Sequence, residues 1–125
     1  MNVADSCVWL EYFAGGPNAT FFAPAIEETR KLVVPTLSLY EVFKRVLEQR
    51  TEGDALAAIA VMQQGTVVDL DARLALSAAR TSIDYKLPMA DSVMLATAKA
   101  VGATLWTQDE HFKGLPGVKY RPAKK

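Results

Sequence analysis

The sequence predicts an α/β fold, a mainly parallel sheet with helices on both faces. Two observations carry this expectation. Short apolar, strand-like runs alternate with longer segments of helical periodicity along the 125 residues. Helices of that length between strands imply crossover connections, which join parallel strands. The length is that of one domain, long enough to bury a core without a disulfide or a metal. Half of the residues are hydrophobic and 22% are charged, as in a packed globular chain rather than a disordered one.

Met1 to Ala4 reads as the first strand, and Cys7 to Ala14 as a short helix stopped by Gly15, Gly16 and Pro17. Asn18 or Thr20 suits the cap of a second helix running to about Arg30. Leu32 to Val34 is the second strand, closed by Pro35. Thr36 opens a helix to about Arg50 whose stripe is Leu39, Tyr40, Phe43, Val46 and Leu47, with Glu41 outside it. Asp54 suits the cap of a helix through Gln64. Thr66 to Leu70, rich in β-branched residues, is the third strand. Asp71 caps a helix whose face carries Leu74, Ala75, Ala78, Ala79, Ser82 and Ile83. Leu87 and Pro88 break the chain, and Met89 to Val101 is an Ala- and Met-rich helix ended by Gly102 at a left-handed C-cap. Thr104 to Trp106 is the fourth strand, Asp109 to Lys113 one helical turn, and Val118 to Tyr120 the fifth strand. The domain spans residues 1–120, and residues 121–125 form a basic tail, frayed at Lys124 and Lys125.

Composition excludes several classes of function. One cysteine, Cys7, excludes an internal disulfide framework and a cysteine-based zinc cluster. His111 is the one histidine, so a histidine-rich zinc site is excluded too. Lys plus Arg equals Asp plus Glu at 14 each, which excludes a general polycation but leaves local basic patches. MNVADSCVWL has no basic segment before an apolar run, so no secretory signal is expected. No apolar stretch approaches the roughly 18 residues of a membrane span. The expected compartment is the reducing cytoplasm.

In such a fold, sites form outside the carboxyl ends of the strands. Asp5 directly follows the first strand, and Asp109 follows the fourth in LWTQDEHF. Glu41 lies one turn inside the helix after the second strand. Asp91 stands near the start of an otherwise apolar helix, where the helix dipole favours an anion. Two carboxylates about 4 Å apart repel by roughly 4 kcal/mol at an effective dielectric of 20. Converging acids therefore call for a cation. Hard divalent ions with oxygen ligands meet that need, and such ions activate water and steady a leaving oxygen. A phosphodiester, which also binds metal, is the natural substrate.

VADSCVWLEYF, PTLSLYEVFKRV, LPMADSVMLATA and LWTQDEHF, in that order, resemble the motifs of PIN domains, and more closely those of VapC-type toxins from toxin–antitoxin pairs. The resemblance runs to about Tyr120. It implies a PIN-like three-layer α/β/α sandwich with a five-stranded central sheet. It also implies a Mg2+- or Mn2+-dependent endoribonuclease that leaves 5′-phosphate and 3′-hydroxyl ends, and a cognate antitoxin protein that silences it. Carried over motif by motif, the family's acids fall on Asp5, Glu41, Asp91 and Asp109, with Thr107 as the hydroxyl that accompanies the fourth. Some family members carry a further acid where this chain has His111. The implied roles are metal binding by Asp5 and Asp91, and water activation or outer-sphere metal binding by Glu41. Asp109 and Thr107 complete the outer shell or a second metal position. Ser6 and Ser38 are candidate hydroxyls for the second shell or for substrate phosphate.

Each feature also has a structural reading. Asp5 and Asp109 suit helix caps, worth about 1 kcal/mol each. Glu41 suits an exposed pair with Lys44 or Arg45, and Asp91 an N-terminal dipole site. Asp54 and Asp71 read as caps, Asp69 as a strand end, His111 as a surface residue, and Cys7 as a small core residue. Trp9, Tyr12 and Phe13 read as core or partner-surface residues, with base stacking the lesser reading. Lys44, Arg45 and Arg50 form either a solvated helix face or a path for RNA phosphates.

The leading function is a toxin ribonuclease. A catalytically silent PIN-like module that binds protein or RNA is the alternative, and the presence of all four acids weighs against it. A phospho-acceptor signalling domain would need paired acids after the first strand, where this chain has Asp5 then Ser6. For the antitoxin, the expected groove lies between the first helices, around Trp9 to Phe22, and the helical pair from Leu37 to Gln64. A homodimer through the later helices is expected from the resemblance, and no membrane partner.

Overall fold

The structure, a computed structural model, describes residues 1–124; Lys125 lies outside the described residues. Five strands form one sheet: β1 (Asn2–Ala4), β2 (Leu32–Pro35), β3 (Thr66–Val68), β4 (Thr104–Thr107) and β5 (Val118–Tyr120). Their order is β3-β2-β1-β4-β5, and every pairing is parallel. Six helices connect them: α1 (Ser6–Ala14), α2 (Ala19–Glu27), α3 (Thr36–Gln49), α4 (Glu52–Met62), α5 (Ala72–Tyr85) and α6 (Met89–Ala100). The five-stranded parallel arrangement is the one the sequence predicts.

Successive side chains of a strand point to opposite faces of a sheet, and the central strands are apolar on both. Ala4, Leu32, Val34 and Trp106 pack on one face with Val8, Trp9, Phe22, Ile26, Val42 and Met62. Val3, Val33 and Leu105 pack on the other with Met94, Leu95, Ala98 and Phe112. Helix α6 is buried continuously from Ser92 to Ala98, because α5 covers the side turned away from the sheet. Continuous apolar runs in β1 and β2 thus reflect burial on both faces.

The chain leaves β1 toward β2 and β3, then returns to the opposite side of β1 to form β4 and β5. Strand order therefore reverses between β1 and β4, and the carboxyl ends of these two strands are where such a sheet builds a site. Register sets what lines it. Ala4 pairs with Trp106, and the Asp5 N–H donates to the Trp106 carbonyl at 2.9 Å. The residues that follow, Asp5 and Thr107, consequently stand side by side.

Several boundaries differ from those expected. Helix α2 stops at Glu27, and residues Thr29–Lys31 form a separate 3-10 turn. Asn18 precedes α2 without a side-chain cap bond; its amide instead donates to Gln108 Oε1 and the Pro122 carbonyl. Thr51, not Asp54, caps α4, with its hydroxyl accepting from the Asp54 N–H at 3.1 Å. The inward face of α3 is centred on Ser38 and Val42, which leaves Tyr40 and Leu47 exposed. On α5 the buried residues are Leu74, Ala78 and Thr81, whereas Ala75, Ala79 and Ile83 face outward. Asp71 does cap α5, accepting from the Leu74 N–H. The basic tail is tied at its base: Arg121 N–H donates to the Thr107 carbonyl, and its guanidinium stacks on Phe21 at 4.1 Å. Among the described residues no helix is long and apolar enough to cross a membrane.

Helix α6 ends as expected. Gly102 takes a left-handed φ of 68°, and the N–H groups of Gly102 and Ala103 donate to the carbonyls of Lys99 and Ala98. That pairing satisfies the last turn and turns the chain into β4. A Cβ at Gly102 meets nothing within 4 Å, so Gly102→Ala carries only the backbone cost, about 1–2 kcal/mol. Urea denaturation should read that loss, with Gly102→Asn recovering part of it.

Candidate active site

The site grows from the carboxyl ends of β1 and β4. Asp5 is the N-cap of α1, and its Oδ1 accepts from the Ser6 N–H at 2.8 Å. Its Oδ2 accepts from Thr107 Oγ1 at 2.8 Å and faces Cys7 Sγ at 3.5 Å. The capping and functional readings of Asp5 are thus compatible, since the cap engages one oxygen. Thr107 is fully buried. Its hydroxyl also accepts from the Asp109 N–H at 2.9 Å, which links the first acid to the fourth.

Glu41, half-buried on α3, comes to the same edge. Ser6 Oγ donates to Glu41 Oε1 at 2.6 Å, so the first residue of α1 holds the acid of α3. Asp91 lies in the first turn of α6 and is half-buried. Asp109 caps the 3-10 turn Glu110–Phe112, accepting from the His111 N–H at 2.9 Å. The His111 ring then closes the group, its Nδ1 lying 2.8 Å from Asp91 Oδ2 and 3.3 Å from Asp109 Oδ1. Asp91, Asp109 and His111 each present a ligand atom within 4.8 Å of the others.

Electrostatics follow from this crowding. Burial pushes the Asp5 carboxyl up to about 6, and the negative charge of Asp91 adds to the rise, against the lowering effect of the Thr107 and Ser6 bonds. Asp91 is raised as well, first by burial and then by Asp109, with His111 opposing. His111 is raised from its ordinary value by its bond to Asp91 and the charge of Asp109. The Cys7 thiol is pushed up to about 12 by burial and by Asp5. Cys7 is half-buried and packs against the core cluster beside the site, in keeping with the small core residue the sequence suggests.

Among the described residues no lysine or arginine pairs with any of these acids, and His111 is the basic side chain that meets them. Carboxylates raised chiefly by burial and further by one another, with hard oxygen donors and no lysine or arginine among the described residues to pair with them, fit a divalent metal ion.

The sequence points to Asp5, Glu41, Asp91, Asp109, Thr107 and Ser6 as one site. The structure links Asp5 through Thr107 to Asp109, and Glu41 to Ser6 next to Asp5, whereas the donor atoms within 4.8 Å of one another belong to Asp91, Asp109 and His111. Ser38 does not join them. It is fully buried, with its hydroxyl against Met94 Sδ at 3.3 Å, which takes it out of contact with substrate. His111 is exposed, as its sequence suggests, and also bridges two of the acids. The outward sign is its place two residues after Asp109, on a turn that the Asp109 cap must tighten.

A cleft of about 620 Å³ lies beside the acids, between α1, α3 and α4. Leu10, Phe13, Val46 and Val61 give it an apolar lining, and Glu11, Arg45, Arg50 and Asp54 give it charged groups. Cys7 and Gln108 carry it up to Asp5 and the end of β4.

The PIN domain family matches residues 3–118. Among solved structures, the chain is similar to a toxin–antitoxin complex from Klebsiella pneumoniae, at 21% identity over 95% of this chain and 96% of that one, TM-score 0.79. It is similar to VapBC2 from Rickettsia felis bound to a promoter DNA fragment, at 12% identity over 98% of both chains, TM-score 0.74. It is also similar to VapC20 from Mycobacterium tuberculosis, a toxin that cleaves the sarcin-ricin loop, at 14% identity over 93% and 95%, TM-score 0.75. No curated protein matches the chain. Similarity at these identities speaks for the fold, and the family match covers every acid of the site: the chain belongs to the PIN domain family.

Proposed function

We propose that this protein is the toxin of a toxin–antitoxin pair, a Mg2+- or Mn2+-dependent endoribonuclease held silent by a cognate antitoxin. The convergence of Asp5, Glu41, Asp91 and Asp109 at the carboxyl ends of β1 and β4 carries this reading. The similar structures from Klebsiella pneumoniae and Rickettsia felis, a toxin–antitoxin complex and a VapBC assembly, support it.

Asp5 and Asp91 would hold the metal ion, with Asp109 completing the set. When bound, the ion supplies positive charge to the scissile phosphate and lowers the pKa of a bound water. Thr107 fixes the Asp5 carboxylate through its hydroxyl bond, which keeps an oxygen oriented in a buried place. Ser6 does the same for Glu41. One Glu41 oxygen is thereby held, and the other is left to orient a water and take its proton as it attacks phosphorus in line. The 3′ oxygen of the preceding nucleotide leaves, and the new 5′ end keeps the phosphate.

The apolar cleft between α1, α3 and α4 suits an antitoxin segment. An antitoxin Arg or Lys passing Cys7 and Gln108 would meet the acids as a competing cation. An inhibited complex that still binds metal normally would count against that displacement. Arg45 and Arg50 along the cleft suit RNA phosphates once the antitoxin leaves.

Helix α5 supports a homodimer. Leu76 and Ile83, 75% and 77% exposed, are seven residues apart and so share one face. Replacing both with Asp should give a monomer by sedimentation equilibrium, with the circular dichroism of the parent. An unchanged mass would exclude this face.

The test of function is incubation of the partner-free chain with total RNA in Mg2+, Mn2+ or EDTA. Discrete fragments that require metal support the nuclease. A folded protein that neither cleaves RNA nor binds a divalent ion would overturn it.

A further inference from the structure

We propose that His111 is itself a ligand of the divalent ion, through Nδ1, and that the mixed nitrogen and oxygen donors make this site favour Mn2+ over Mg2+. The inference rests on the metal-dependent reading above and adds a residue and a selectivity to it.

The geometry is that of a ligand set rather than a loose surface pair. His111 Nδ1 lies 2.8 Å from Asp91 Oδ2 and 3.3 Å from Asp109 Oδ1. Donors at adjacent corners of an octahedron with bonds of about 2.1 Å are separated by about 3 Å. The two spacings therefore match the edges of such a shell with little movement of the side chains.

The turn beneath is fixed at several points. Asp109 Oδ1 accepts the His111 N–H, Thr107 Oγ1 accepts the Asp109 N–H, and Phe112, fully buried, anchors the next residue among Val3, Met94 and Leu105. The ring is 57% exposed, but its backbone is not free to carry it away from Asp91. Nδ1 lies at hydrogen-bond distance from Asp91 Oδ2. With the proton on Nε2, which water can serve, the Nδ1 lone pair faces the two carboxylates.

Donor chemistry sets the selectivity. Carboxylates suit Mg2+ and Mn2+ alike, whereas an imidazole nitrogen favours first-row transition ions, which lie above Mg2+ for nitrogen donors. A carboxylate in place of His111 would remove that bias. The competing possibility is that His111 acts as a fixed cation that neutralises Asp91 and keeps metal out. The two readings predict opposite signs: loss of a ligand weakens Mn2+ binding, whereas loss of a competing cation strengthens it.

The test is Mn2+ binding to the partner-free chain at pH 8, followed by the electron paramagnetic resonance of free Mn2+, with Mg2+ as competitor. His111→Ala and His111→Asp are compared with the parent, Asp91→Asn serves as the control for the site, and circular dichroism confirms each fold. The proposal expects nitrogen hyperfine coupling to bound Mn2+ in pulsed spectra of the parent, absent in both His111 variants. It also expects a loss of Mn2+ affinity of roughly tenfold or more in His111→Ala, since even outer-shell partners of a metal cost about 10–100-fold. In His111→Asp the preference should move toward Mg2+. Equal or tighter Mn2+ binding in His111→Ala without nitrogen coupling in the parent, while Asp91→Asn abolishes binding, overturns the role of His111 and leaves the metal site standing. Absence of Mn2+ binding by the folded parent overturns both.

Discussion

Asp91→Asn should lower the specific rate of RNA cleavage on the order of 10²- to 10³-fold, because it loosens the hold on the ion that would stabilise transition-state charge, and loss of such a stabilising group is felt on that scale. The loss should be visible in turnover of a short RNA at a metal concentration that saturates the parent. The substitution keeps size and shape and leaves the amide able to meet His111, whose ring nitrogen lies 2.8 Å from Asp91 Oδ2. It also removes a charge that raises Asp5 and is itself raised by burial and Asp109. The metal-free variant should therefore melt no lower than the parent, which separates lost chemistry from lost folding. Asp71→Asn is the matched control: it alters a capping carboxylate on the Leu74 N–H outside the acidic site and should leave cleavage unchanged. Equal rates for Asp91→Asn and the parent would remove Asp91 from the reaction.

Most of the fold is legible in the sequence because its signals are local. Gly15, Pro35 and Gly102 mark boundaries whatever the rest of the chain does, and strand-like runs between helices imply crossovers without any contact being known. Asp5 and Asp109 are legible because the carboxyl ends of parallel strands are the place to look. Apart from the α4 cap, the features that mislead depend on neighbours distant in sequence. The inward face of α3 is decided by Met94 and Ser6 from other elements, so a stripe through Tyr40 and Leu47 looks equally good. Ser38 falls beside Met94 rather than the acids for the same reason. Thr51 and Asp54 are both polar at one helix start. The three-residue spacing from a threonine to an acid is the capping-box sign that favours Thr51. His111 cannot be paired with Asp91 from sequence, because 20 residues, a strand and a turn separate them.

Asp5→Asn should make the metal-free protein more stable than the parent above pH 6, and the difference should vanish in acid. Asp5 has a folded value of about 6 against an ordinary 3.8, chiefly because it is buried. A carboxyl raised on folding contributes stability that is complete below about pH 3.8 and is lost as pH rises through about 6. The full loss is roughly 3 kcal/mol, at 1.36 kcal/mol for each pH unit that separates the folded and unfolded values. Asn caps a helix about as well as Asp and can still accept the Ser6 N–H, so the neutral side chain escapes the loss while keeping the cap. Divalent metal should reverse the order. At a hundredfold excess over its dissociation constant a ligand stabilises the state it binds by about 2.7 kcal/mol, and the parent should gain that while Asp5→Asn gains far less. Thermal melts of both proteins at pH 4, 6 and 8, in EDTA and in Mn2+, measure all of these quantities. A gap that ignores pH would mean that Asp5 does not bury a charge in the metal-free site. Equal stabilisation of the two proteins by Mn2+ would mean that Asp5 does not hold the metal, and the shell would then rest on Asp91, Asp109 and their neighbours.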